Sequence, residues 1–136
     1  LDKAVLQLFR IGFERVLGHL EGGVEAWRAS GREIASYPLV GVDELARSAA
    51  EDPERIMDVR QRDEWEAGHL PGTRHLFVGD LPGRLGELPT DVPLTVACAS
   101  GYRASMAASL LARAGNPVRL VAEGGVPDAL GPRAGA

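Results

Sequence analysis

"LTVACASGYRASMAASLLARAG", residues 94–115, holds two different periodicities back to back. Leu94 to Cys98 is the most strand-like run in the chain. Residues 104–114, "ASMAASLLARA", are strong helix formers that stop at Gly115 as a C-cap. Helical spacing puts Met106, Leu110 and the flanking Ala107, Leu111 and Ala114 toward one side. Only Cys98 to Arg103 lie between the strand and the helix, so the chain's single cysteine occupies a tight strand-to-helix turn.

The same alternation continues on both sides of this stretch. "VDELARSAA" (42–50) reads as a helix with Asp43 as N-cap and Val42, Leu45 and Ala49 on one side. "RIMDV" (55–59) reads as a short buried strand, "RDEWEAGH" (62–69) as a helix stopped by "LPG", and "RHLFV" (74–78) as a strand. "DLPGRLGEL" (80–88) reads as a short helix or turn interrupted by glycine, and "VRLV" (118–121) closes the series. Strands alternating with helices predict an α/β fold of three layers, a mainly parallel central sheet with helices on both faces. The ending "LGPRAGA" (130–136) is expected to fray.

Composition narrows the function. With 136 residues, 45% of them hydrophobic and 25% charged, the chain has the balance of a water-soluble globular domain. A net charge of −4 argues against nucleic acid or an anionic membrane as partner, because no basic stripe exists to neutralise phosphates. No run is long enough to cross a membrane as a helix, and no charged segment followed by an apolar one opens the chain. One cysteine excludes an internal disulfide, a paired-cysteine redox motif and a multi-cysteine zinc site; a reducing, cytoplasmic compartment is expected. His19, His69 and His75 lack metal-ligand spacing, so no metal and no cofactor is expected.

A lone cysteine is more often an inert buried side chain than a nucleophile. Here the position after a strand, the small residues Ala99, Ser100 and Gly101, and Arg103 before the helix favour the nucleophile. Gly101 lets the loop curl so that successive backbone N–H groups converge on the sulfur. The helix start adds its dipole, about 0.3–1 kcal/mol in favour of the thiolate, and Arg103 adds a fixed positive charge. The crevice beyond the carboxyl ends of the strands is also where open α/β sheets bind ligands.

"DVRQRDEWEAGHLPG" (58–72), "CASGYRAS" (98–105) and "EGG" (123–125), in this order, resemble the rhodanese sulfurtransferases over about residues 40–126. The resemblance implies a small α/β domain in which Cys98 is the nucleophile. It also implies that the amides of Ala99, Ser100, Gly101, Tyr102 and Arg103, with the Arg103 side chain, hold a persulfide and an anionic donor. The substrates so implied are thiosulfate or a low-molecular-weight persulfide as donor and a thiol or cyanide as acceptor. Asp58 and Arg60 are given a supporting role: Asp58 capping the next turn, Arg60 pairing with Glu64 or Glu66 at the surface. His69 is expected to hydrogen-bond its turn and Trp65 to be core.

Two rivals stand beside this reading. A cysteine phosphatase resembles cysteine, five residues, arginine, but only four residues separate Cys98 from Arg103, and no acid lies inside the loop to protonate a leaving alcohol. A rhodanese-like thiol sensor or binding module is the other, resting on an exposed thiolate open to oxidation.

The chain begins at Leu1, and "RVLGHLEGGVEAW" (15–27) echoes "PVRLVAEGGVPDAL" (117–130), with "RIG" and "RAG" just upstream. The echo is either chance or a repeat. Taken as a repeat, it makes residues 1–36 the helix-strand-helix tail of a preceding rhodanese-like unit, 37–130 the rhodanese domain and 131–136 a frayed tail. Such tails resemble the linker unit of bacterial proteins that join a metallo-β-lactamase-type persulfide dioxygenase to a rhodanese. That likeness implies such a domain in the full-length protein.

Overall fold

A computed structural model of the chain describes residues 2, 3, 5, 6 and 15–131. The chain divides into two compact units, residues 1–36 and 37–136. The "RIG" upstream of the first echo and most of the "LGPRAGA" ending, with its expected fraying, lie outside the described residues.

In the first unit Asp2, Lys3, Val5 and Leu6 are helical, and α1 spans Gly23–Ala29 behind Gly22 at φ 76°. The strand expected within residues 15–20 does not form; these residues are irregular and exposed. A strand must pair its backbone N–H and C=O groups with a neighbour, and the described residues of this unit supply none.

The second unit carries a five-stranded, wholly parallel sheet in the order β1-β5-β4-β2-β3. Its strands are β1 (Leu39–Val40), β2 (Ile56–Asp58), β3 (Arg74–His75), β4 (Leu94–Ala97) and β5 (Val118–Val121). The helices are α2 (Val42–Glu51), α3 (Arg62–Ala67), α4 (Leu81–Arg84), α5 (Tyr102–Arg113) and α6 (Val126–Ala129), with 3-10 turns at Pro53–Arg55 and Leu85–Glu87. β1 has no counterpart in the sequence reading: a two-residue edge strand has no measurable periodicity.

Alternate residues of the central strands face opposite layers. Met57, Val96 and Leu120 pack with Leu81 of α4 and with Ala104, Ala107, Ala108 and Leu111 of α5. Ile56, Ala97 and Val121 pack with Leu45 and Ala49 of α2 and Val126 of α6. Helices therefore cover both faces, as the alternation predicts.

Several boundaries shift. Gly41, extended at φ −80°, is the N-cap of α2, its carbonyl accepting from Leu45 N–H at 2.9 Å. Asp43 instead falls in the first turn, where its charge suits the dipole. α5 starts at Tyr102, and its buried stripe is 104, 107, 108 and 111, so Met106 is 51% exposed and Ala114 lies at the surface. Alanines at that stripe let the helix lie close on the sheet, which decides the phase over the larger Met106. Gly115 ends the helix as expected, at φ 89°, with its N–H donating to the Ala112 carbonyl and Asn116 N–H to Leu111.

Candidate active site

β4 lies between β5 and β2, and the chain leaves these strands in opposite directions, from β2 to β3 and from β4 to β5. A crevice opens at such a switch point, beyond the carboxyl ends of the strands. Residues 98–102 follow β4 and residues 59–61 follow β2, with Asp58 in register with Ala97, so the two segments meet there.

The Cys98 side chain is buried, 1% exposed, and its Sγ accepts a hydrogen bond from Gly101 N–H at 3.1 Å. Gly101 is the N-cap of α5 at φ 84°, and the first N–H groups of that helix have no intrahelical acceptor. The sulfur thus sits against the positive end of a twelve-residue helix. Ser100 and Tyr102 are exposed at the rim, and Ala99 is half-buried. The loop is pinned from behind: Val126 N–H donates to the Cys98 carbonyl at 2.8 Å. A Cβ on Gly125 would lie 1.9 Å from that same oxygen. The "EGG" corner is therefore the backstop of the cysteine loop, a role the sequence reading left unassigned.

Both arginines differ from expectation. Arg60 does not reach Glu64 or Glu66 at the surface. It is 4% exposed, its Nε and Nη2 donating to the Asp58 carboxylate at 2.6–3.0 Å and Nη2 also to the Gly68 carbonyl at 2.8 Å. Asp58, 1% exposed, additionally accepts from Arg60 N–H at 3.0 Å. Buried charges are kept only when paired and hydrogen-bonded, so the two residues satisfy each other where β2 ends. Glu66 instead faces Arg62 at 3.5 Å on the surface.

Arg103 is not a free cation. Its Nη1 and Nη2 donate to the two oxygens of Glu64 at 2.5 and 2.8 Å, a two-pronged pair across 39 residues. Glu64 is preset for this: it is third in α3 and closes a capping box with Gln61, whose N–H donates to its carboxylate at 3.2 Å. The sequence reading missed this partner, because a pair 39 residues apart leaves no local signal. The hydrogen bonds from Arg103 hold the Glu64 carboxyl at about 2, below its ordinary 4.5, against the opposing push of burial. The hydrogen bond from Gln61 and the charges of Arg103 and Arg60 add to it. Arg103 is raised in turn, first by its hydrogen bond to Glu64 and further by the nearby Cys98 sulfur.

A carboxyl with a depressed pKa in the folded state stabilises the fold above its unfolded value and loses that contribution as pH falls through the folded one. The stability difference between wild type and Glu64→Gln is therefore expected to be constant above about pH 5 and to shrink as pH falls toward 2. Urea-unfolding midpoints measured across that range check it; a pH-independent difference contradicts the pairing.

His69 Nδ1 hydrogen-bonds the Trp65 carbonyl at 3.0 Å, and His75 Nε2 donates to the Arg60 carbonyl at 2.9 Å. Trp65, expected in the core, is half-buried and stacks between these imidazoles at centroid distances of 3.7 and 5.2 Å. Among the described residues no cluster of His, Cys, Asp and Glu could hold a metal ion, and no helix is long and apolar enough to cross a membrane.

The model of the rhodanese-like domain family matches residues 41–127. The Bacillus subtilis protein YrkF is 30% identical over 87 residues, covering 63% of this chain and 47% of its own length. The thiosulfate sulfurtransferase GlpE of Stutzerimonas stutzeri is 35% identical over 60 residues, 44% of this chain and 55% of its own. The human single-domain sulfurtransferase TSTD1 superimposes with a TM-score of 0.60 at 27% identity, over 73% of this chain and all of that one. The chain spans about half the length of the curated relatives it matches.

Proposed function

Because the chain belongs to the rhodanese-like domain family, we propose that it transfers a sulfane sulfur through a persulfide on Cys98 to a thiol or cyanide acceptor. The carrying observation is the Cys98 sulfur held by Gly101 N–H at the start of α5, beside Arg103. Two similar proteins, GlpE of Stutzerimonas stutzeri and human TSTD1, are sulfurtransferases, which agrees with sulfur as the cargo.

The chemistry follows from charge. The Cys98 thiolate donates an electron pair to the outer sulfur of the donor. The donor's S–S bond breaks, and its electrons leave with sulfite or with a thiolate. The terminal sulfur of the new Cys98 persulfide carries the anionic charge, so the amides of residues 99–103 that favour the thiolate also hold the intermediate. The acceptor then attacks that sulfur and returns the thiolate. No metal or organic cofactor takes part in these steps.

The loop itself speaks against the phosphatase. Four residues, not five, separate Cys98 from Arg103, and none of Ala99, Ser100, Gly101 and Tyr102 is an acid that could protonate a leaving alcohol.

A covalent intermediate between two half-reactions gives ping-pong kinetics. Initial rates at several donor and cyanide concentrations are expected to give parallel double-reciprocal lines. Intact-mass spectrometry of the donor-treated protein is expected to show one added sulfur that cyanide removes. Intersecting lines, or a folded protein that never gains the sulfur, overturn the proposal.

A further inference from the structure

The charges around Cys98 cancel in pairs, and this bears on which donor the site accepts. Arg60 is matched by Asp58, and Arg103 by Glu64. Ala99, Ser100, Gly101 and Tyr102 carry no charge, while Glu123 is exposed just beyond the carboxyl end of β5. No uncompensated cation remains among the residues that form the site, and the thiolate itself is negative.

The two donor classes load this site differently. Thiosulfate brings two negative charges to the thiolate and leaves as sulfite, so a total of −3 must be accommodated throughout. A thiol-borne persulfide reacting as R–S–SH brings none at the transferred sulfur: Cys98–S⁻ and R–S–SH give Cys98–S–S⁻ and R–SH, the proton passing to the leaving thiolate, with a total of −1. In the second case the helix start and the Gly101 N–H suffice. In the first, the Arg103 charge that would offset the anion is already matched by Glu64, whose pairing is short and two-pronged. The rim adds an apolar component suited to a carbon-bearing donor. Tyr102 is 78% exposed and Met106 is 51% exposed, one helical turn apart on α5.

We propose that Cys98 takes its sulfur from a persulfide carried on a thiol in preference to thiosulfate, and that Glu64, by occupying the Arg103 guanidinium, sets this preference. The inference rests on the sulfur-transfer reading above. Glu64 acts through Arg103 and is a positioning residue.

The test compares kcat/KM for glutathione persulfide and for thiosulfate, with cyanide as common acceptor, in wild type, Glu64→Gln and Glu64→Asp. Wild type is expected to favour the persulfide at least about tenfold. Glu64→Gln, which keeps an amide oxygen for Arg103 but removes the negative charge, is expected to lower the thiosulfate KM by about tenfold and shrink the ratio. Glu64→Asp, which keeps the charge, is expected to restore it. Added salt, which screens like charges, is expected to lower the thiosulfate KM of the wild type, an outcome that needs no variant. Equal use of both donors by wild type, or a ratio indifferent both to Glu64→Gln and to salt, overturns the proposal while leaving sulfur transfer standing. If neither donor loads the folded protein, sulfur transfer itself falls, and this inference with it.

Discussion

Cys98→Ser is expected to lower sulfur transfer by at least roughly 10³-fold, because removing the nucleophile of a covalent mechanism leaves only binding and electrostatic contributions. The serine hydroxyl is close to the thiol in size and can accept the same Gly101 N–H, so the loop keeps its shape. Its hydroxyl enters a cluster with Val96, Ala104 and Ala107, but with a hydrogen-bond partner, so the stability change is expected within about 1 kcal/mol. The measurement pairs turnover with a urea-unfolding midpoint and an intact mass after donor treatment. A serine variant that is folded, gains no sulfur and is inactive separates chemistry from folding. A serine variant that still turns over donor and cyanide removes Cys98 from the mechanism.

Gly101→Ala is expected to be the most destabilising single-methyl addition in the second unit, at about 3–5 kcal/mol, a large part of the ~5–15 kcal/mol typical of a folded domain. Two effects combine. The residue sits at φ 84°, a conformation L side chains rarely adopt. A Cβ there would also lie 1.9 Å from the Ala122 carbonyl oxygen and 2.5 Å from its carbon. Both are backbone atoms at the end of β5 and cannot rotate away. Gly115→Ala isolates the first effect, since Gly115 has φ 89° but no heavy atom within 4 Å of the added Cβ. Its expected cost is about 1 kcal/mol. Unfolding midpoints of the two variants are the check; equal losses would mean that the approach to Ala122 is not tight. Any Gly101→Ala protein that folds is also expected to load sulfur poorly, because the N–H on the Cys98 sulfur must shift.

Much of this was legible along the chain, for a local reason. Strand and helix periodicities, Gly115 as a stop, and a cysteine trapped between a strand and a helix are properties of neighbouring residues, and backbone geometry reads them directly. They were enough for a parallel α/β sheet covered on both faces and for a nucleophile candidate at the carboxyl end of a strand. The tripeptide Glu-Gly-Gly marks the limit of such reading. At residues 123–125 it follows a strand and backs the cysteine loop, whereas at 21–23 it follows residues 15–20, which are irregular.

How charges and backbone groups from different segments meet depends on the assembled sheet. Local pattern alone puts Cys98, Asp58 and Arg60 at strand ends and Arg103 at the entry to the following helix. It could not tell that Arg60 turns inward onto Asp58, that Arg103 is held by Glu64, or that Gly101 and Gly125 press on backbone from other segments. The contacts of Arg103, Gly101 and Gly125 exist because the strand order places β4 between β2 and β5, so segments 39 and 28 residues apart in sequence share one crevice. Side-chain periodicity is fixed by the local backbone, but the partner of a buried charge is fixed by whichever residue the sheet brings within hydrogen-bond reach.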